Sequence, residues 1–147
     1  MSNNIEQILD NLDKNEEISI SNLVELNDLI EYVDIDENNY KKALKILLEM
    51  FFKKKLSENH RDMTQRTINN LILYSNYNFD EKDFEVLIKK LATSKNTKEL
   101  CPALNMLYLT KDSKFLPYIK KFDNNENEIV SNFAKEKIAK LNNEVLI

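Results

Sequence analysis

Residues 84–91, FEVLIKKL, are matched in pattern 31 positions later by residues 115–122, FLPYIKKF. The same offset aligns Ala103 with Ala134 in the segments that follow. In both copies the apolar residues recur at the spacing of an amphipathic helix. Self-similarity at a period of about 20–50 residues is typical of arrays whose units bury their apolar faces by stacking. The pattern therefore predicts an all-α fold of stacked helices.

The absence of glycine limits what the chain can do. It has 147 residues, with no glycine, two prolines and one cysteine. Gly-rich phosphate loops, dinucleotide-binding turns and EF-hand loops all need backbone that glycine tolerates best, so we expect no cofactor. We expect asparagine to take the left-handed position that glycine usually occupies at the C-terminal end of a helix. The length predicts a single helical domain over residues 1–147.

Eight helices are predicted from the spacing of apolar residues and from the polar residues that precede them. The connections between them are short and rich in Asn, Asp and Ser, which favours antiparallel neighbouring helices. The predicted helices cover about 4–12, 21–33 (with Ser21 as N-cap), 39–56 and 61–74, and four more begin at Asp80, Asn96, Asp112 and near Asn125.

The predicted core consists of the apolar faces of these helices. Leu29 and Val33 are assigned to the core face of the second helix, and Ile129 to that of the eighth. The lone thiol of Cys101 lies in an apolar helical pattern, and we interpret it as a buried core residue.

The C-terminal half resembles HEAT repeats. Residues 112–119, DSKFLPYI, resemble the turn and second helix of such a repeat, where Asp caps the helix and a Val-Pro-like pair opens it. Residues 130–141, VSNFAKEKIAKL, resemble the first helix of the next repeat. The likeness is best over residues 97–141, and residues 67–141 are expected to be HEAT-like. It implies a short, right-handed HEAT-like α-solenoid of about eight antiparallel helices, with an irregular helical bundle as the alternative.

The net charge of −4 is unevenly distributed along the chain. Residues 1–40 hold eleven acidic side chains and one lysine, whereas residues 41–66 hold eight basic and three acidic ones. An acidic surface steers association with basic partners, so we predict that the acidic N-terminal helices bind another protein. The candidate partner-binding residues are Glu25, Asp28, Glu31, Tyr32, Asp34, Asp36 and Glu37.

The sequence predicts neither a catalytic nor a metal site. Zinc sites need clusters of His and Cys, and this chain has one of each, His60 and Cys101, far apart in the sequence. No segment has the glycine and glutamate that a calcium loop requires at its fixed positions. We therefore expect that the protein is not an enzyme and that it needs no metal.

Membrane and export signals are not found in the sequence. No stretch approaches the roughly 18 apolar residues of a membrane-spanning helix. Residues 1–17, MSNNIEQILDNLDKNEE, lack the basic and apolar regions of a signal peptide. We expect a cytoplasmic location.

By type, the chain resembles the immunity proteins of bacterial toxin systems. It shares their small size and acidity, and its sequence shows no set of catalytic residues. Its preference for Lys, Asn and Ile over Arg and Ala is typical of an AT-rich bacterial genome. The resemblance implies a protein that binds and neutralises a cognate toxin, whose binding domain would be basic.

Two alternatives stay open. The lysines between Lys41 and Lys55, together with Arg61, follow the pattern of a basic amphipathic helix that binds nucleic acid or an anionic membrane. We expect neither partner, because the chain as a whole is acidic. The other alternative is a general scaffold or adaptor protein.

Overall fold

The computed structural model describes residues 2–14 and 20–145, and all regular secondary structure in those ranges is helical. This confirms the predicted all-α class. Two short 3-10 turns, Glu81–Phe84 and Ser113–Phe115, lead directly into the fifth and seventh helices. The eight α-helices of the described ranges are α1 (Ser2–Lys14), α2 (Ile20–Tyr32), α3 (Glu37–Lys53), α4 (Glu58–Tyr74), α5 (Glu85–Thr93), α6 (Thr97–Leu109), α7 (Leu116–Lys120) and α8 (Glu128–Val145).

Three predicted N-caps are confirmed. The carboxylate of Asp80 accepts a hydrogen bond from the N–H of Asp83 at 3.1 Å, and that of Asp83 accepts one in return at 2.9 Å. The N–H donated by Asp83 lowers the pKa of Asp80. The side chains of Asn96 and Asp112 each accept from the N–H two residues ahead, at 2.9 and 3.0 Å. These polar side chains begin helices because they satisfy first-turn N–H groups that have no partner within the helix.

Other predicted helix starts are off by one to three residues, since α3 begins at Glu37 and not at residue 39, and α4 begins at Glu58 and not at residue 61. Ser21 lies inside α2, one residue after its beginning, and Asn125 lies three residues before α8. Asn127 is the residue that caps α8, because its side chain accepts from the N–H groups two and three residues ahead, at 2.9 and 3.4 Å. Asn125 accepts from the N–H of Asn127 at 2.9 Å and so orders the turn before the helix.

Two of the helices, α3 and α4, end at extended residues. α3 was predicted to reach residue 56 but ends at Lys53, because Lys54 is extended (φ −99°, ψ 147°). Ser75, after α4, is extended in the same way (φ −72°, ψ 134°). Among the described residues only Lys111 has a positive φ, of 54°, so the expectation of left-handed asparagine caps is wrong. Extended backbone avoids the clash between Cβ and carbonyl oxygen that a left-handed residue suffers.

Lys111 provides a test of this backbone strain. We expect Lys111→Gly to be more stable than Lys111→Ala by about 1 kcal/mol, because glycine adopts a positive φ without steric cost. Both variants lose the ammonium group that lies 3.6 Å from the centroid of the Tyr108 ring, so their difference reports on the backbone. Urea unfolding measures this difference. An alanine variant as stable as the glycine variant would show that position 111 is unstrained.

The chain divides into two compact units, Met1–Val86 and Leu87–Ile147. In the first unit, α1 packs against α2 and α3, and α4 packs against the same two helices. Ten of the seventeen residues of α3 are buried, which makes it the central helix of this unit. Its buried surface includes Ile46 and Met50, so it is wider than the single apolar face that was predicted. The single domain remains a prediction.

In the second unit, α6 packs against α7 and α8, and α7 packs against α8. Two of the fully buried residues of these helices, Ala103 and Ala134, are the pair aligned by the 31-residue offset. Phe84 and Phe115, also related by that offset, are both fully buried, and each is the last residue of a 3-10 turn. The two matching stretches of sequence therefore begin with the same local structure, although α7 ends at Lys120 whereas α5 continues to Thr93.

Several predicted core residues are less buried than expected, among them Ile88, Phe122, Phe133 and Ile138, which are half-buried. Val33 is 43% exposed and Ile129 is 67% exposed, while Leu29 and Cys101 are half-buried. The partial burial of Cys101 raises the pKa of its thiol. Leu29 and Val33 are four residues apart, so they share one face of α2, and that face has been left open to water.

A polar network joins α2 to α4. The Asn27 amide donates to the Thr67 hydroxyl at 2.7 Å, and the Asn70 amide donates to the Asn27 side-chain oxygen at 3.0 Å. Thr67 is fully buried, and its hydroxyl donates in turn to the carbonyl of Met63 at 2.7 Å. Buried polar groups are costly when they lose a partner, so this network holds the two helices in one register.

We expect Asn27→Ala to lower the free energy of unfolding by about 1–3 kcal/mol, because it removes the donor to the Thr67 hydroxyl and the acceptor of the Asn70 amide. Asn132→Ala is the matched control, since Asn132 is exposed on α8 and gains the same helix propensity. That control is expected to change stability by no more than about 0.5 kcal/mol. Chemical denaturation measures the free energy of unfolding of both variants. Equal losses for the two would mean that the network adds nothing to stability.

Candidate functional site

A groove of about 600 Å³ lies between α1 and α2. One face of α2 forms one side, since its lining positions recur three and four residues apart. Three of the predicted partner-binding residues, Glu25, Asp28 and Tyr32, line it together. We call it the α1–α2 groove, and its lining residues are Gln7, Ile8 and Asn11 from α1, Asn22, Glu25, Asp28, Leu29 and Tyr32 from α2, and Val33.

Apolar side chains are exposed at one end of this groove. Tyr32 is 81% exposed, and Val33 beside it is 43% exposed. Leu29 and Ile8 extend the apolar lining. Large apolar side chains that are grouped on a surface, as these are, mark places where another molecule binds.

The acidic side chains of this region are unneutralised. Glu25, Asp28, Glu31 and Asp34 are all exposed. None of the four forms a salt bridge with any other residue that the structure describes. Four carboxylates within ten residues therefore give the end of α2 a negative potential that a basic partner would neutralise.

A second hollow, of about 240 Å³, adjoins the groove and shares Tyr32 and Val33 with it. It lies where the end of α2, the start of α3 and the end of α4 come together. Four of the six tyrosines of the chain line it. We call it the tyrosine cleft, and its lining residues are Ile30, Glu31, Tyr32, Val33, Asp34, Ile35, Tyr40, Tyr74, Asn76 and Tyr77.

Hydrogen bonds hold the inner tyrosines in place. The Tyr40 hydroxyl donates to the carbonyl of Tyr74 at 3.3 Å, and the Tyr77 hydroxyl donates to the carbonyl of Ile35 at 2.9 Å. The Tyr40 and Tyr77 rings pack edge to face, with their centroids 5.5 Å apart. The Ser75 hydroxyl accepts from the N–H of Tyr77 at 3.0 Å, which fixes the turn that brings this ring inward. The cleft is therefore built by contacts among segments distant in sequence.

The Tyr40 hydroxyl stays protonated well into the alkaline range. Burial raises its pKa, and the nearby Tyr77 and the carboxylate of Asp34 raise it further. The hydroxyl therefore remains a hydrogen-bond donor to the Tyr74 carbonyl at any physiological pH.

Two predicted partner-binding residues line neither hollow. Asp36 caps α3, because its carboxylate accepts from the N–H of Asn39 at 3.2 Å. Glu37 lies 3.8 Å from the ammonium of Lys41, one turn along the same helix. These two carboxylates have local structural roles, whereas the other five predicted residues line the groove or the cleft.

Two lysines of α3 and one arginine of α4 have partners in the first unit. The Lys41 ammonium lies 3.5 Å from the carboxylate of Asp83, and that of Lys42 lies 3.2 Å from Asp10. The Arg61 guanidinium lies 4.0 Å from the centroid of the Phe51 ring, at the C-terminal end of α3. These basic groups therefore contribute to the packing of the unit.

Other candidate chemistry is sparse among the residues that the structure describes. No group of three or more His, Cys, Asp or Glu side chains in residues 2–14 and 20–145 is arranged to hold a metal ion. His60 contacts the hydroxyl of Ser57, the cap of α4. Within the same residues, no helix combines the length and the hydropathy needed to cross a membrane.

The sequence interpretation missed the tyrosine cleft. Tyr40 has the spacing of a core residue in α3, where it is buried, and Tyr77 lies in a short polar stretch, SNYN at 75–78. The available signal was the placement of Tyr74 and Tyr77 on either side of a predicted helix end. Only the fold shows that they face Tyr32, more than forty residues earlier in the chain.

Comparison with known proteins adds no relative: no family model, no curated protein and no solved structure matches the chain. The resemblances to HEAT repeats and to immunity proteins therefore rest on the sequence features described above.

Proposed function

We propose that this chain is a non-enzymatic protein-binding module of the bacterial immunity type, which acts in the cytoplasm by binding and neutralising a cognate toxin. The observation that carries the proposal is the α1–α2 groove, where exposed apolar side chains lie next to unneutralised carboxylates. Protein interfaces combine an aromatic and aliphatic centre with a charged rim, and tyrosine is enriched among the residues that dominate their binding energy.

The mechanism we propose is occlusion. Tyr32, Leu29 and Val33 would be buried against the partner, and Glu25 and Asp28 would pair with its basic side chains. Nucleases and other toxins that act on phosphates carry basic surfaces, because they bind a polyanion. An acidic protein bound over such a surface blocks the substrate both sterically and electrostatically.

The acidic groove is favoured over the lysines of α3 as the binding surface. Lys41 and Lys42 each lie within salt-bridge distance of a carboxylate in the same unit. Pairing reduces the charge that these lysines present to a phosphate. Glu25 and Asp28 have no such partner among the described residues.

We also propose that the helices form a short HEAT-like solenoid. In such an array each helix packs against the next helix and the next but one. Three packed pairs of the next-but-one kind support this, since α1 packs against α3 and α2 against α4 in the first unit, and α6 packs against α8 in the second. A compact chain of this length has a radius of gyration of about 15 Å. Small-angle X-ray scattering that gives a clearly larger value would support the solenoid, and a value near 15 Å would favour a bundle.

The proposed function is tested by co-expressing the chain with the polypeptide encoded immediately upstream of it. If that polypeptide is toxic, we expect the chain to restore growth and to copurify with it as a stable complex. A toxic neighbour that neither binds the chain nor is neutralised by it would overturn the immunity proposal. A non-toxic neighbour that binds would favour the adaptor alternative.

A further inference from the structure

We infer that the tyrosine cleft binds an arginine side chain of the partner segment that lies in the α1–α2 groove. This inference rests on the proposed function, because it assigns the anchor by which the same surface recognises its partner. It is carried by the four tyrosines and two carboxylates that the fold brings together from three helices and the segments that follow α2 and α4.

The aromatic lining determines the type of ligand. Tyr32 and Tyr74 are 81% and 52% exposed, so much of each ring is open to water. The face of a tyrosine ring carries negative electrostatic potential and attracts a cation. A guanidinium is planar and weakly hydrated, so it stacks on such rings more readily than a lysine ammonium does.

The charged groups that line the cleft also favour a positively charged ligand. Glu31 and Asp34 are acidic, and no lysine, arginine or histidine is among the residues that line the cleft. The hydroxyls of Tyr40 and Tyr77 already donate to backbone carbonyls. The cleft therefore offers an incoming group carboxylates and ring faces, which complement a cation and repel an anion.

The position of the cleft indicates that a polypeptide supplies this cation. The cleft and the α1–α2 groove share Tyr32 and Val33, so the two hollows are neighbours on the surface. A chain lying in the groove would reach the cleft with one long side chain. An arginine buried beside aromatic rings is among the commonest high-energy anchors of protein interfaces.

The experiment uses small probes and needs no toxin. N-acetyl-L-arginine amide is titrated into the full chain, and the tyrosine ring resonances are followed by NMR. We expect saturable shifts at Tyr32 and Tyr74, with a dissociation constant on the order of 1–10 mM, because one cation on exposed rings binds weakly. N-acetyl-L-norleucine amide, which lacks the charge, is expected to bind at least about threefold more weakly.

Matched variants assign the binding to the rings and to the charge. Tyr32→Leu is expected to weaken arginine-probe binding by about two- to fivefold, whereas Tyr32→Phe keeps the ring and should stay within about twofold. Asp34→Asn is expected to weaken it by about two- to threefold at low salt. Tyr32 and Asp34 are exposed, so these variants are expected to fold normally, which thermal unfolding checks.

Three results would overturn the inference. They are the absence of saturable shifts, equal binding of the norleucine probe, and tighter binding of tetramethylammonium than of the arginine probe, which would indicate a site for a free quaternary amine. The probe titration tests the arginine anchor and the growth-rescue experiment tests the immunity function, so either can give a negative result without the other. Loss of rescue with intact probe binding would reject the immunity proposal, and rescue without probe binding would reject only the arginine anchor.

Discussion

Replacing Phe51 with alanine is expected to lower the free energy of unfolding by about 3–5 kcal/mol. The side chain is 1% exposed, at the centre of the first unit. Its ring packs edge to face on Phe52, with a centroid distance of 4.9 Å, and the Arg61 guanidinium covers it at 4.0 Å. The substitution removes apolar burial and both ring contacts, and it leaves a cavity that rigid helices fill only partly. Because a domain is typically stable by about 5–15 kcal/mol, the variant should be close to unfolding.

Phe51→Leu is the control for this prediction. It also loses both ring contacts but keeps most of the apolar volume. We therefore expect it to lower the free energy of unfolding by less than about 2 kcal/mol. The difference between the two losses in the free energy of unfolding then measures the cost of the cavity that alanine leaves. Guanidinium or urea unfolding gives both values, with the slope of the transition as a check on two-state behaviour. A loss below about 1 kcal/mol for the alanine variant would contradict the central position of α3.

The helical class and several helix starts could be predicted because they depend on local chemistry. Asp80, Asn96 and Asp112 cap their helices with hydrogen bonds that span two or three residues. Such contacts form wherever a short polar side chain precedes an amphipathic segment, whatever the rest of the fold does. At residues 125–127 two asparagines are suitable caps, and the prediction placed the start near Asn125 whereas Asn127 caps the helix.

Which side of a helix is buried depends on contacts that the sequence does not show. Leu29 and Val33 have the spacing of core residues, yet they line the α1–α2 groove. Tyr40 meets Tyr74 and Tyr77 across separations of more than thirty residues. Three of the predicted binding residues, Glu25, Asp28 and Tyr32, share a groove because they lie on one helical face. The tyrosine cleft, by contrast, depends on the packing of α4 beside α2 and α3.

Reversing two charges of the groove, with Glu25→Lys and Asp28→Lys together, is expected to slow association with the cognate toxin by about 10- to 100-fold at low salt. Both carboxylates line the groove, and neither forms a salt bridge with a described residue, so each is available to a basic partner. The effect should shrink as salt is added, because the screening length falls to about 10 Å at 0.1 M and about 3 Å at 1 M. Stopped-flow mixing over a salt series measures the association rate.

The control must change the net charge equally but elsewhere, because a lower overall negative charge also slows association with a basic partner. Asp62→Lys with Glu126→Lys meets this need, since both residues are exposed and line neither the groove nor the cleft. We expect this control to slow association by no more than about threefold, because distant charges are screened. Equal slowing by the two double variants would show that only net charge matters. Unchanged rates for the groove variant at low salt would remove this face of α2 from the binding surface.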